Sequence, residues 1–233
     1  MLSLVGRARA GEIHDAALAG DLEKVGALLK KNPKSVNERN QDGETPLHVA
    51  WPSLKVIKLL LENGADINAR DKDGKTPLMD MAMVDAFDAA ELLIQNNADI
   101  KAKDNKGSTA LHWTARAGRT EIAAVLIAHG ADVNARNDSL GWTPLHDAAQ
   151  GDHPEIVQLL LKNKAQINVI DTTGQTPLHV AAYLGLLEVV KTLVTNGAEV
   201  NVRDENGKTS LGGALEGGNK EVAEYLRQQG ARE

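Results

Sequence analysis

Six threonines, Thr45, Thr76, Thr109, Thr143, Thr176 and Thr209, head six copies of one short pattern at spacings of 31, 33, 34, 33 and 33 residues. A fixed period in this range marks a solenoid of stacked units and outranks any prediction made one helix at a time. The pattern reads TPLHVA from Thr45 and Thr176 and TPLHDA from Thr143. Degraded copies read TPLMDM from Thr76, TALHWT from Thr109 and TSLGGA from Thr209.

Each part of the unit has a physical reason. Asp-x-x-Gly before the threonine (Asp71 to Gly74, Asp104 to Gly107, Asp171 to Gly174, Asp204 to Gly207) is turn chemistry, because Asp bonds its own backbone and Gly accepts positive φ. Threonine caps a helix, and proline suits the first helical position because its missing N–H would be unpaired there. A second helix follows, with Val189, Val190, Leu193 and Val194 on one face at helical spacing. Gly197 is placed to stop that helix in the left-handed conformation. Asn97 and Lys164 stand at the equivalent position; if the geometry is kept, Lys164 costs about 1 kcal/mol relative to glycine. One such unit cannot bury its own apolar face, so neighbours must stack.

These copies, with the glycine and Ala-Asp-x-Asn after the second helix, resemble the ankyrin-repeat family over residues 11 to 233. The resemblance implies an all-α solenoid of helix–turn–helix units with β-turn or hairpin fingers. It comprises five internal repeats (42–72, 73–104, 105–137, 138–170, 171–203) between caps at 11–41 and 204–233, forming one domain. It also implies that His48, His112, His146 and His179, at one repeat position, bond the turn backbone and link neighbours. Metal binding by that row is disfavoured, because packed helices lie about 10 Å apart, too far for two imidazoles to share an ion. His14, His129 and His153 are scattered and receive no role.

The departures from the pattern are informative. The repeat at 42–72 is two residues short, at Trp51-Pro52-Ser53, which predicts a truncated first helix with Trp51 filling the space. The repeat at 138–170 inserts one residue in its finger, around Leu140 and Trp142. The last repeat crowds Gly212, Gly213, Gly217 and Gly218 into one short helix, which predicts fraying at about 1 kcal/mol per interior glycine. Residues 1–10 read as a flexible leader; Ala8-Arg9-Ala10 also fits the remnant of a trimmed signal peptide, although the apolar stretch is too short for an intact one. The compartment is therefore cytoplasmic by default, or export if that remnant is real.

Composition excludes several functions. A net charge of −6 gives no general attraction for nucleic acid or an anionic membrane. The absence of cysteine removes disulfides, thiolate metal sites and a cysteine nucleophile. No apolar run approaches the ~18 residues of a membrane span. No phosphate loop, G-x-S-x-G or H-E-x-x-H occurs, so neither catalysis nor a cofactor nor a metal is expected.

In proteins of this family the fingers and the exposed side of the first helices form the binding face. The function expected from the resemblance is therefore non-catalytic binding of another protein by a chain that is itself monomeric. Three Trp and Tyr183 fall on that side, and aromatic residues with Arg dominate interface hot spots. The expected contact residues are Lys75, Met83, Lys106, Trp113, Arg116, Leu140, Trp142, Asp147, Gln150, Gln175, Tyr183 and Leu184. Trp142, Tyr183 and Leu140 serve as anchors; Arg116, Asp147, Lys106 and Lys75 supply charge. Packing of Trp113 and Trp142 against neighbouring repeats is the competing reading. Two alternative functions stay open. One is a small-molecule or enzymatic pocket at Pro52 or the glycine-rich last repeat. The other is an engineered binder scaffold, against which the irregular repeats argue.

Overall fold

The computed structural model describes residues 11–233, so the expected leader lies outside the described residues. The helices divide between two compact units, Met1–Asn105 and Lys106–Glu233. Among the described residues there is no strand.

The first unit holds three helix pairs: α1 (Glu12–Leu18) with α2 (Leu22–Lys31), α3 (Pro46–Val49) with α4 (Leu54–Glu62), and α5 (Pro77–Val84) with α6 (Phe87–Gln95). The second holds four: α7 (Ala110–Ala117) with α8 (Thr120–Ala128), α9 (Pro144–Gln150) with α10 (Pro154–Lys162), α11 (Pro177–Leu184) with α12 (Leu187–Thr195), and α13 (Ser210–Glu216) with α14 (Lys220–Gln228). Within each unit, first helices pack on first helices and second helices on second helices, making two layers.

The core is made of the same positions repeated. The leucine after the capping threonine is nearly or fully buried in every copy: Leu47, Leu78, Leu111, Leu145, Leu178 and Leu211. Leu60, Leu93, Leu126, Leu160, Leu193 and Leu226 do the same in the second layer, each 0% exposed. Truncating one such leucine to alanine typically costs 2–5 kcal/mol. Helix α3 is four residues long where the other first helices have seven or eight, as Pro52 requires, and Trp51 is half-buried beside it.

Two polar ladders run between repeats. In the fingers, the N–H of Lys72 donates to the Asp42 carbonyl at 3.0 Å and that of Asn105 to Asp73 at 2.9 Å. In the second unit Asp138 donates to Lys106, Thr172 to Leu140 and Glu205 to Thr173. The other ladder uses the asparagine of Ala-Asp-x-Asn. Its amide oxygen accepts from the next repeat: Asn37 from Asp66 N–H and Asn68 from Asp99 N–H at 2.8 Å, and Asn168 from Glu199 N–H at 3.0 Å. These bonds satisfy backbone N–H groups of the fingers and loops.

The glycines of the last repeat differ in what the fold asks of them. A Cβ at Gly217 would fall 2.3 Å from the Tyr183 carbonyl oxygen, so that glycine allows α13 to approach α11. A Cβ at Gly213 would sit 3.8 Å from the Tyr183 Cβ, an ordinary contact. Lys164 and Asn97 do keep the left-handed stop, at φ 68° and 65°. Replacing Lys164 with glycine should therefore stabilise the chain by about 1 kcal/mol, read by urea unfolding. A loss of stability would contradict the strain assigned to that position.

Candidate functional site

The site is built outward from the buried histidines, because they set where the fingers stand. In each complete copy the His Nδ1 accepts the backbone N–H of its own capping threonine: His48 at 3.0 Å, His112 at 3.1 Å, His146 at 3.3 Å and His179 at 3.1 Å. The threonine side chain accepts the histidine N–H in return, a reciprocal cap with imidazole in place of a carboxylate. That leaves Nε2 to carry the proton and donate to a carbonyl of the next repeat. The acceptors are Lys75 for His48, Trp142 for His112, Gln175 for His146 and Lys208 for His179, at 3.1–3.2 Å. Each acceptor is the last residue of a finger.

Burial lowers the pKa of His48 and His179, and lowers that of His146 to about 4. The hydrogen-bond pattern agrees: a second proton on Nδ1 would displace the threonine N–H. Both nitrogens of each imidazole are used structurally. Among the described residues no group of three His, Asp or Glu side chains is arranged to hold a metal.

Between the fingers and first helices of the last three repeats lies a groove of about 420 Å³. Val180, Tyr183 and Leu184 of α11 form one wall, with Trp142, Gln150 and Gln175 beside them. The other wall is Asp204, Asn206, Lys208, Thr209, Gly213 and Glu216. Tyr183 is 53% exposed and Leu184 44% exposed. Lys208 Nζ lies 2.8 Å from Glu216 Oε2, and that hydrogen bond raises the lysine pKa.

Five of the expected contact residues meet in this groove: Trp142, Gln150, Gln175, Tyr183 and Leu184. Trp142 lines the groove but does not project into solvent. It is 7% exposed, its ring stacks on His146 at 5.7 Å, and its Nε1–H donates to Asp171 Oδ2 at 2.9 Å. Burial alone would raise the Asp171 pKa; bonds from Thr173, Trp142 and Gln175 outweigh it and hold the carboxyl below its usual range. The finger insertion folds inward because Asn137 Oδ1 accepts from both Leu140 N–H and Trp142 N–H, which closes the longer turn. Leu140 itself stays 43% exposed outside the groove lining.

Asp147 is also buried rather than offered to solvent. Arg116 Nε reaches its Oδ1 at 3.3 Å, and the same guanidinium bonds Gln150 Oε1. These three residues tie α7 to α9. Arg116, Trp113 and Asp147 meet in a small separate recess with Ser108 and His112. Lys106 is exposed and does not line the groove. Lys75 and Met83 belong to the first unit, both half-buried. Burial works to lower the Lys75 pKa, but the nearby carboxylates of Asp80, Asp71 and Asp73 raise it overall.

Two histidines left without a role have one. His14 is 1% exposed, and its Nε2 bonds the Glu44 carbonyl at 2.9 Å, the same link made by His48. The alignment of Ala16-Ala17 with Ala181-Ala182 already placed His14 opposite His179, so the signal was present. Gly11 stands where the other copies have threonine, and His14 Nδ1 has no partner. Conversely, Met79 replaces histidine, and Thr76 Oγ1 lacks a hydrogen bond. His153 precedes α10, and its Nε2 lies 3.2 Å from the Arg116 carbonyl. Asn219 does the equivalent before α14, donating to the Tyr183 carbonyl at 2.7 Å. Lys208 and Glu216 also line the groove and lie outside the contact residues expected from the sequence.

Residues 13–104, 98–171 and 163–232 each match the family model for ankyrin repeats in three copies. No curated protein matches the chain. Among the described residues no helix is long and apolar enough to cross a membrane.

Two outcomes follow from this geometry. Free histidine titrates near 6.5, and His146 in the folded chain near 4. Between those values the unfolded chain binds more protons, so stability present above pH 6.5 is lost as the pH falls towards 4, on the order of 3 kcal/mol from this group. NMR of the imidazole should show neutral His146 with the proton on Nε2 at pH 5; a midpoint near 6.5 would contradict it. Trp142→Phe removes the donor to Asp171 and should cost about 2 kcal/mol in denaturant unfolding. Unchanged stability would mean the bond contributes nothing.

Proposed function

The chain belongs to the ankyrin-repeat family, and from that premise we propose that it is a non-catalytic module that binds a partner protein through the groove between α9, α11 and α13. Repeats of this family are generally protein–protein interaction modules. The observation that carries the choice of surface is the exposure of Tyr183 and Leu184. They are consecutive, 53% and 44% exposed, and both line the groove. Tyrosine is among the residues that dominate interface hot spots.

The same geometry weighs against catalysis in the groove. Its one imidazole, His179, has both nitrogens engaged, so it offers neither a base nor a nucleophile. A volume of about 420 Å³ falls in the range of small-molecule sites. The lining, however, does not enclose its contents: Tyr183, Leu184, Lys208 and Glu216 are all about half exposed. That form suits a projecting segment of another protein better than a ligand that must be surrounded.

The test is a Tyr183→Ala/Leu184→Ala double variant. Both positions are exposed, so the fold should lose less than about 1 kcal/mol. Affinity capture from the source cells with quantitative mass spectrometry should show partner recovery falling at least tenfold relative to wild type. A folded double variant that captures the same partner equally well would overturn this surface.

A further inference from the structure

Gly213 occupies the first-helix register held by Val49, Asp80, Trp113, Asp147 and Val180 in the copies before it. The fold does not require glycine there. Its φ is not positive, and an added Cβ would make only ordinary contacts, the nearest at 3.8 Å. A glycine inside a helix costs stability relative to alanine. What its missing side chain leaves is space, and the groove lies there, lined by Gly213 itself together with Val180, Tyr183 and Leu184.

The polar lining has two further properties. The side chains of Gln175, Asn206 and Tyr183 make no hydrogen bond among the described residues, so two amides and a hydroxyl are available to a bound main chain. The charges do not cancel: Asp204 and Glu216 face a single cation, Lys208, which is already paired with Glu216 at 2.8 Å. His179 adds no positive charge, since its Nε2 proton is donated to the Lys208 carbonyl and its Nδ1 accepts from Thr176. The lining therefore carries a net negative charge, which attracts a cation, although Asp204 is 8% exposed and its Oδ1 also accepts the Asn206 and Lys208 N–H groups.

We propose that the space at Gly213 is the socket for one large apolar side chain of an extended peptide segment, and that the segment carries a Lys or Arg next to that side chain. The apolar group packs on Val180, Tyr183 and Leu184. The amides of Gln175 and Asn206 pair with the peptide backbone, and the cation faces Asp204. This inference rests on the protein-binding role proposed above and states the chemistry of its partner.

The experiment is selection of a displayed random dodecapeptide library on the full wild-type chain, with the Gly213→Leu chain as counter-target. Enriched peptides should share Leu, Ile, Met, Phe or Trp beside Lys or Arg. A synthetic copy should bind wild type at least tenfold more tightly than Gly213→Leu, with Gly213→Ala as a folded control that retains binding. Replacing the basic residue with Glu should weaken binding at least threefold. If Leu at 213 unfolds the chain, Lys208→Glu keeps the test, because it removes the groove's cation at an exposed position and should tighten the basic peptide several-fold.

Three results would overturn the proposal: enriched peptides that bind Gly213→Leu equally well, a consensus that is acidic, or no enrichment. An acidic consensus that still needs Tyr183 and Leu184 leaves the protein-binding role standing and removes only the partner chemistry. No enrichment, together with a Tyr183→Ala/Leu184→Ala variant that captures as wild type does, removes both.

Discussion

A buried imidazole donates a hydrogen bond to the carbonyl that ends the next finger, and the arrangement of each unit depends on it. Five histidines make this bond, at 2.9 Å from His14 and 3.1–3.2 Å from His48, His112, His146 and His179. Each such bond contributes only about 1 kcal/mol net, but leaving its carbonyl or imidazole unpaired in the interior costs more. The threonine cap and the inter-repeat link share one ring, so helix start and repeat stacking form together. Burial lowers the pKa of His48, His146 and His179 and outweighs the hydrogen bond to the next finger, which works to raise it.

That framework positions the groove without occupying it. His146 and His179 fix the carbonyls of Gln175 and Lys208, the residues whose side chains then stand on the groove's two walls. Asp171 and Asp204 hold their turns by accepting two backbone N–H groups each. With the fingers held, side-chain choice at Gln175, Tyr183, Leu184, Asn206 and Gly213 is released from folding duty. The glycines illustrate the division: Gly217 serves the close approach of α13 to α11, whereas Gly213 serves no contact.

Much of this was legible in the chain itself. The threonine period, the buried leucines, the left-handed stop at Lys164 and the shortened α3 all follow from local patterns that one repeat contains. What was not legible depends on residues about thirty positions apart. Nothing local to Trp142 indicates that its indole N–H would find Asp171, twenty-nine residues on. Arg116, Asp147 and Gln150 read singly as surface charge and polarity; only stacking α7 on α9 shows that they satisfy one another. His14 is different, since its alignment was available and only the missing threonine concealed it.

The central claim is that recognition occurs at the groove of the Lys106–Glu233 unit, on side chains the framework leaves uncommitted. Hydrogen–deuterium exchange of the full chain, alone and with its captured partner, tests it most directly. Added protection is expected in the fingers at 171–175 and 204–208 and at the end of α11, with the outer helices α8, α10, α12 and α14 unchanged. Protection confined to those outer helices, or to residues 11–105, would contradict it.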